Sequence, residues 1–136
     1  MHGLHLTADL RDCPAGLPAL TDAAALRGLC LAAVRRAGLT PVGELFHRFV
    51  AAPARPPSAA EPGNGVTGVV LLAESHLAVH TWPELAAVTL DVYVCNLGTD
   101  NRARAEALLR DLLAAFGPAF ADLQRLERGR WPPAIS

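Results

Sequence analysis

HLAVHTWPELAAVTLDVYVC, residues 76–95, decides the fold. Its second half alternates: Val88, Leu90, Val92 and Val94 fall on one face of a strand, and Thr89, Asp91, Tyr93 and Cys95 on the other. Successive side chains leave a pleated backbone on opposite sides, so a period of two marks a strand with one buried face. The first half, 76–81, reads as another strand, and the intervening WPELA carries the proline of a turn. We therefore expect a hairpin centred near Leu85, which pairs Ser75 with Cys95 and sets His80 opposite Leu90. One apolar and one polar face belong to an antiparallel sheet covered on a single side.

The pattern outside the hairpin supplies that cover. LHLTADL (4–10) and VGELFHRFV (42–50) read as strands, VTGVVLLA (66–73) as a buried one, and a last strand is expected near FADLQRLE (120–127). Between the first two strands, Leu26, Leu29, Cys30, Ala33, Val34 and Ala37 recur at helical spacing, with Thr21-Asp22 as cap and Gly38 as stop. A second helix follows Thr99 or Asp100, lined by Ala105, Leu108, Leu109, Leu112, Leu113 and Phe116 and ended by Gly117. This order predicts an α+β fold, a two-layer sandwich whose antiparallel sheet carries helices on one face. The uncovered face predicts a homodimer. AAPARPPSAAEPGNG (51–65), with four prolines and two glycines, is an exposed loop inside the domain.

Composition narrows the function. The 136 residues make one domain with one core. A net charge of −1 and a pI near 6.5 give no electrostatic footprint for nucleic acid and no polybasic membrane patch. No run of eighteen apolar residues exists, so no membrane helix is expected. Cys13, Cys30 and Cys95 are odd in number and lack ligand spacing, which fits neither a disulfide framework nor a zinc knuckle. These features predict a cytoplasmic protein with a small-molecule partner.

Polar chemistry gathers in one place. ESHLAVHTWPE (74–84) holds two carboxylates, a serine, two histidines and a tryptophan in a chain that is 51% apolar. His76 and His80 share a strand face but stand about 13 Å apart at 3.3 Å per residue, too far to grip one metal ion, and no metal is expected.

ESHLAVHTWPE, followed by the aspartate and cysteine of DVYVC, closely resembles the self-processing segment of the prokaryotic S-adenosylmethionine decarboxylase proenzymes, which are pyruvoyl enzymes. HLTADLRDC, the first helix, FHRF, GVTGVVLL and the helix after Cys95 resemble family segments in the same order; only the 51–65 stretch looks inserted. A decarboxylase must hold the electron pair left when carbon dioxide departs, which no ordinary side chain does. The resemblance implies that the chain makes its own electron sink. Ser75 attacks the carbonyl of Glu74, and the bond opens to leave a β chain (1–74) and an α chain (75–136) headed by a pyruvoyl group that forms a Schiff base with the substrate amine. By the same resemblance His80 is the acid-base group of processing, Thr67 stands where a serine usually supports it, and Cys95 returns a proton to the substrate.

Phe49 matches the position that stacks on adenine, and Trp82 and Glu84 belong to the same motif. Arg11 stands where relatives often carry an aromatic residue, and facing the pocket it could grip a carboxylate. The resemblance puts S-adenosylmethionine, the source of the aminopropyl donor of polyamine synthesis, ahead of arginine or ornithine. An unprocessed, non-catalytic binding subunit is the alternative from another class. A Cys-His hydrolase fits worse, because Cys95 and His80 stand too far apart along the sheet.

Overall fold

The structure, a computed structural model, describes residues 2–50 and 64–130. In chain order it contains β1 (Gly3–Arg11), α1 (Ala23–Arg36), β2 (Pro41–Arg48), β3 (Val66–Leu72), β4 (Ser75–Trp82), β5 (Ala87–Cys95), α2 (Arg102–Phe116) and β6 (Phe120–Arg128). The strands form one antiparallel sheet in the order β2-β3-β4-β5-β1-β6. Both helices cover one face, as the patterning predicts.

Local chemistry fixes each helix. The Asp22 carboxylate accepts from the backbone N–H groups of Ala24 and Ala25 at the start of α1, and such a cap contributes about 1 kcal/mol. Arg35 and Arg36 sit in the last turn, where cations oppose the carbonyl end of the helix dipole. Gly38 then takes a φ of 82°, open to glycine without penalty. Leu26, Cys30 and Val34 of α1 and Leu108, Leu112 and Phe116 of α2 are fully buried against Leu4, Leu10, Val70, Leu77, Val79 and Val88 of the sheet. At β2 the core reaches outward through Phe46, whose ring lies over Gly68; a Cβ there would come within 2.3 Å of it.

Three boundaries differ from the sequence expectation. The β4–β5 hairpin is centred between Glu84 and Leu85: Trp82 pairs with Ala87, His80 with Thr89 and Ser75 with Val94. Its loop holds four residues, a short 3-10 turn at Pro83–Leu85 and Ala86 in the left-handed region at φ 49°, and an even loop moves the centre by half a residue. The shift changes faces as well as partners. His80 lands on the uncovered side with Thr89, where the expected pairing with Leu90 would have turned it into the core. Second, α2 begins one residue later than expected, with Asn101 at the cap position and Asp100 accepting from the Arg102 N–H at 3.0 Å. Third, β2 ends at Arg48, although Phe49 still donates its N–H to the Gly65 carbonyl at 2.8 Å. Of the proline-rich loop, 51–63 lies outside the described residues.

The uncovered face mixes apolar and titratable groups. Leu45, Leu71 and Trp82 are exposed on it. Near its centre the His5 ring contacts the Asp91 carboxylate at 3.1 Å, and Tyr93 lies with its ring centroid 5.7 Å from both His5 and His76. Burial and the nearby His5 hold the His76 pKa below the ordinary histidine range, against a smaller opposing pull from Asp91. Among the described residues no helix is long and apolar enough to cross a membrane.

Candidate active site

Apart from Arg11, the residues singled out by the sequence collect at the two ends of β4. At its start, β3 and β4 are joined by Ala73 and Glu74 alone, with Leu72 paired to Ser75. Both termini of that turn are held. The Ala73 N–H donates to the Thr40 carbonyl at 2.9 Å, and the Glu74 carboxylate accepts from the Thr40 N–H at 2.9 Å. Ser75 takes a φ of 153°, a value that side-chain-bearing residues rarely adopt and that costs about 1–3 kcal/mol where the surroundings enforce it.

Beside this turn runs the end of β5. The Cys95 N–H donates to the Glu74 carbonyl at 2.8 Å, so the carbonyl of the Glu74–Ser75 peptide bond already faces a backbone donor. Cys95 is therefore next to Glu74, one position from the partner expected for it, and its thiol is half-buried and free. Asn101, 4% exposed, locks the turn after Cys95: its amide donates to the Cys95 carbonyl at 2.9 Å, and its backbone N–H donates to Asn96 Oδ1 at 2.8 Å. Asn96 thus has a bond that only a side chain provides. Glu74, Cys95, Asn101 and Arg104 line a cavity of about 240 Å³.

The far end of β4 is built differently. The β3–β4 ladder closes with Thr67 opposite His80, and the Thr67 hydroxyl hydrogen-bonds His80 Nδ1 across it. One residue on, the Thr81 side chain replaces the ladder. Its hydroxyl accepts from the Val66 N–H at 2.8 Å and donates to the Leu20 carbonyl at 2.7 Å, buried on all sides. Gly65 packs so closely on the Thr81 carbonyl that a Cβ would stand 2.6 Å from it. The strands part here and open a cavity of about 320 Å³ lined by Phe49, Thr67, His80, Trp82 and Glu84. Phe49 and Trp82 keep 49% and 43% of their surface exposed, so neither is consumed by the core.

The two ends do not meet within one chain. Ser75 and His80 are five residues apart on one strand, about 16 Å at 3.3 Å per residue. Arg11 joins neither cavity: its guanidinium lies 5.9 Å from the Phe120 ring centroid, in a separate hollow with Asp12 and Leu85. Asn101 and Arg104 were missed by sequence reasoning, because a polar residue at a helix start reads as a cap and an arginine on a helix reads as solvated. Only the fold shows that both turn toward Cys95.

Comparison with known proteins gives one answer. The family model described as S-adenosylmethionine decarboxylase matches residues 4–129. The chain is 40% identical over 125 residues to the S-adenosylmethionine decarboxylase proenzyme of Prochlorococcus marinus (strain MIT 9313), covering 92% of this chain and 88% of that one. It is 32% identical over 127 residues to the proenzyme of the same name from Picrophilus torridus, covering 93% and 84%. The crystal structure of the adenosylmethionine decarboxylase from Aquifex aeolicus superposes with a TM-score of 0.78 at 31% identity, over 98% of this chain and 96% of that one.

Proposed function

The chain belongs to the S-adenosylmethionine decarboxylase family, and on that premise we propose that it is made as a proenzyme, cuts itself between Glu74 and Ser75, and decarboxylates S-adenosylmethionine. It is a carbon–carbon lyase. One observation carries the processing step: the Glu74 carbonyl accepts the Cys95 N–H at 2.8 Å, immediately before a serine held at φ 153°.

Attack by Ser75 Oγ on the Glu74 carbonyl carbon turns that oxygen into an oxyanion. The Cys95 N–H already points at it, and a fixed donor in this position is worth about 10²-fold or more in rate. Collapse exchanges the amide for an ester and relieves the Ser75 backbone. Opening of the ester then needs a base at the Ser75 α-carbon, for which His80, oriented by Thr67, has the suitable chemistry. Processing yields the chains 1–74 and 75–136.

The 16 Å between Ser75 and His80 makes one protomer insufficient. We therefore take the working unit to be a homodimer packed through the uncovered sheet face, with His80 and Thr67 of one copy serving Ser75 of the other. Exposed Leu45, Leu71 and Trp82 on that face support this arrangement.

A pyruvoyl group at position 75, generated from the serine already there, supplies the electron sink for the pair left by carbon dioxide. The chain's own residues do the rest. Phe49 and Trp82 offer faces to an adenine and a sulfonium, and Glu84 adds a negative charge beside them. The Cys95 thiol, at the end where position 75 lies, holds the proton that returns to the substrate carbon. Arg11, turned to Phe120, gives no support to a carboxylate clamp for arginine or ornithine. Three unpaired cysteines, two of them buried, fit a reducing compartment, and we place the enzyme in the cytoplasm.

The test is an intact-mass spectrum of the denatured protein beside a Ser75→Ala control. Two fragments divided after Glu74, the second lighter by one ammonia, are expected in the first sample and a single full-length chain in the second. Carbon dioxide release from S-adenosylmethionine by the cleaved sample then fixes the substrate. An uncleaved wild-type chain overturns the proposal.

A further inference from the structure

We infer that Arg104 is the cation that receives the carboxylate released when the Glu74–Ser75 ester opens. The inference rests on the self-cleavage proposed above and concerns its second half. In that step a base removes the α-proton of residue 75, the electrons form the Cα–Cβ double bond of dehydroalanine, and the Cβ–Oγ bond breaks. Glu74 leaves with that electron pair as a carboxylate. Hydrolysis of the tautomeric imine consumes one water and releases ammonia. A new anion therefore appears at Glu74 that the uncut chain never carries.

The surroundings of Glu74 are arranged for it. The side-chain carboxylate is held by the Thr40 N–H through Oε1 at 2.9 Å. Arg104 lines the same 240 Å³ cavity as Glu74 and Cys95. Its stem passes Gly38, where a Cβ would sit 3.4 Å from Nε, and Gly38 is two residues from the Thr40 that holds Glu74. Arg104 has no carboxylate partner among the described residues, a trait it shares with exposed arginines such as Arg35 and Arg110, but it differs from them in lining the cavity that holds Glu74. Its one bond is from Nη1 to Asn101 Oδ1 at 2.8 Å. That bond leaves donors of the guanidinium fork uncommitted.

The same bond ties it to the reacting atoms. Arg104 donates to Asn101, Asn101 to the Cys95 carbonyl, and Cys95 through its N–H to the Glu74 carbonyl. These bonds fix the guanidinium beside the turn that carries Cys95, and its positive charge reaches Glu74 through the cavity they share.

Amide and ester have equal mass, but hydroxylamine cuts only the ester and yields an α chain that begins with an intact Ser75. We would follow processing of wild-type, Arg104→Gln, Arg104→Lys and Arg110→Gln chains by mass spectrometry, with and without a hydroxylamine quench. Arg104→Gln is expected to lose about tenfold in the appearance of the ammonia-depleted fragment while a hydroxylamine-sensitive ester accumulates. Arg104→Lys should restore most of the rate, and Arg110→Gln, on the same helix, should match wild type. Equal rates for the glutamine and lysine variants, or slow processing without ester, overturn the role of Arg104 while leaving self-cleavage intact. A wild-type chain that never cuts overturns self-cleavage itself.

Discussion

The two ends of β4 have the same pleat, the same sheet neighbours and opposite designs. Its start is tight: a two-residue turn, a strained serine, and a backbone carbonyl with a donor already in place. Its far end is open: the ladder stops at Thr67 and His80, a threonine hydroxyl substitutes for the missing rung, and exposed aromatics stand over the gap. Strain and fixed donors suit a reaction the chain performs once on itself. A cavity with unspent aromatic surface suits a molecule that comes and goes. The strand between them is a ruler that keeps each from completing the other inside one chain.

Breaking that separation should give the largest effects. Neither Ser75→Ala nor His80→Ala should cleave alone. Co-expressed, they should restore cutting in the His80→Ala chains, up to about a quarter of all chains for random two-fold pairing, since each mixed dimer holds one complete site. Fragment yield by denaturing electrophoresis reads this directly, and absence of complementation would place both groups in one subunit. Next comes Cys95→Ala, which keeps the N–H on Glu74 and should still cleave. It should decarboxylate about 100-fold more slowly and lose activity sooner with turnover, as protonation drifts to the wrong carbon; progress curves of carbon dioxide release separate rate from inactivation.

Smaller effects sharpen the contrast in stability. Thr81→Val strands the buried Val66 N–H and should cost about 1–3 kcal/mol in denaturant unfolding, with Thr81→Ser close to wild type. At the tight end the opposite sign is expected. Ser75→Gly should exceed Ser75→Ala in stability by about 1 kcal/mol, because only glycine accepts φ 153° freely. The smallest effect belongs to His76. Its pKa is lowered in the folded state, so the unfolded chain binds the proton more readily. Its contribution is complete above pH 6.5 and is lost as pH falls below that value. In His76→Gln the drop in melting temperature from pH 7.5 to 5.5 should be shallower.

The sheet, both helices and the chemistry-bearing segment were legible because each rests on periodicity or on a dense local motif. Alternation in 87–95 located the buried face, and helical spacing located α1 and α2. Register was not legible, since it turns on whether Ala86 accepts a left-handed conformation, a half-residue matter on which hydrophobic pattern is silent. The face of His80 depended on it. Which of Phe46 and Phe49 packs inward was not legible either; Phe46 fills the space over Gly68, and Phe49 stays half exposed. Asn101 and Arg104 act through partners brought close by the β5–α2 turn, and no spacing in the sequence announces such contacts.

The strand order β2-β3-β4-β5-β1-β6 has one more consequence. A cut after Glu74 assigns β1, β2 and β3 to one fragment and β4, β5 and β6 to the other, so the sheet becomes a braid in which β1 lies between two strands of its partner fragment. The fragments cannot drift apart without unzipping the braid, and once unzipped they face a bimolecular search that the uncut chain never faced. On the proposed cleavage, maturation works as a ratchet. The fold must form first, the cut then erases the covalent route back, and the mature enzyme persists through slow unravelling rather than through ready refolding.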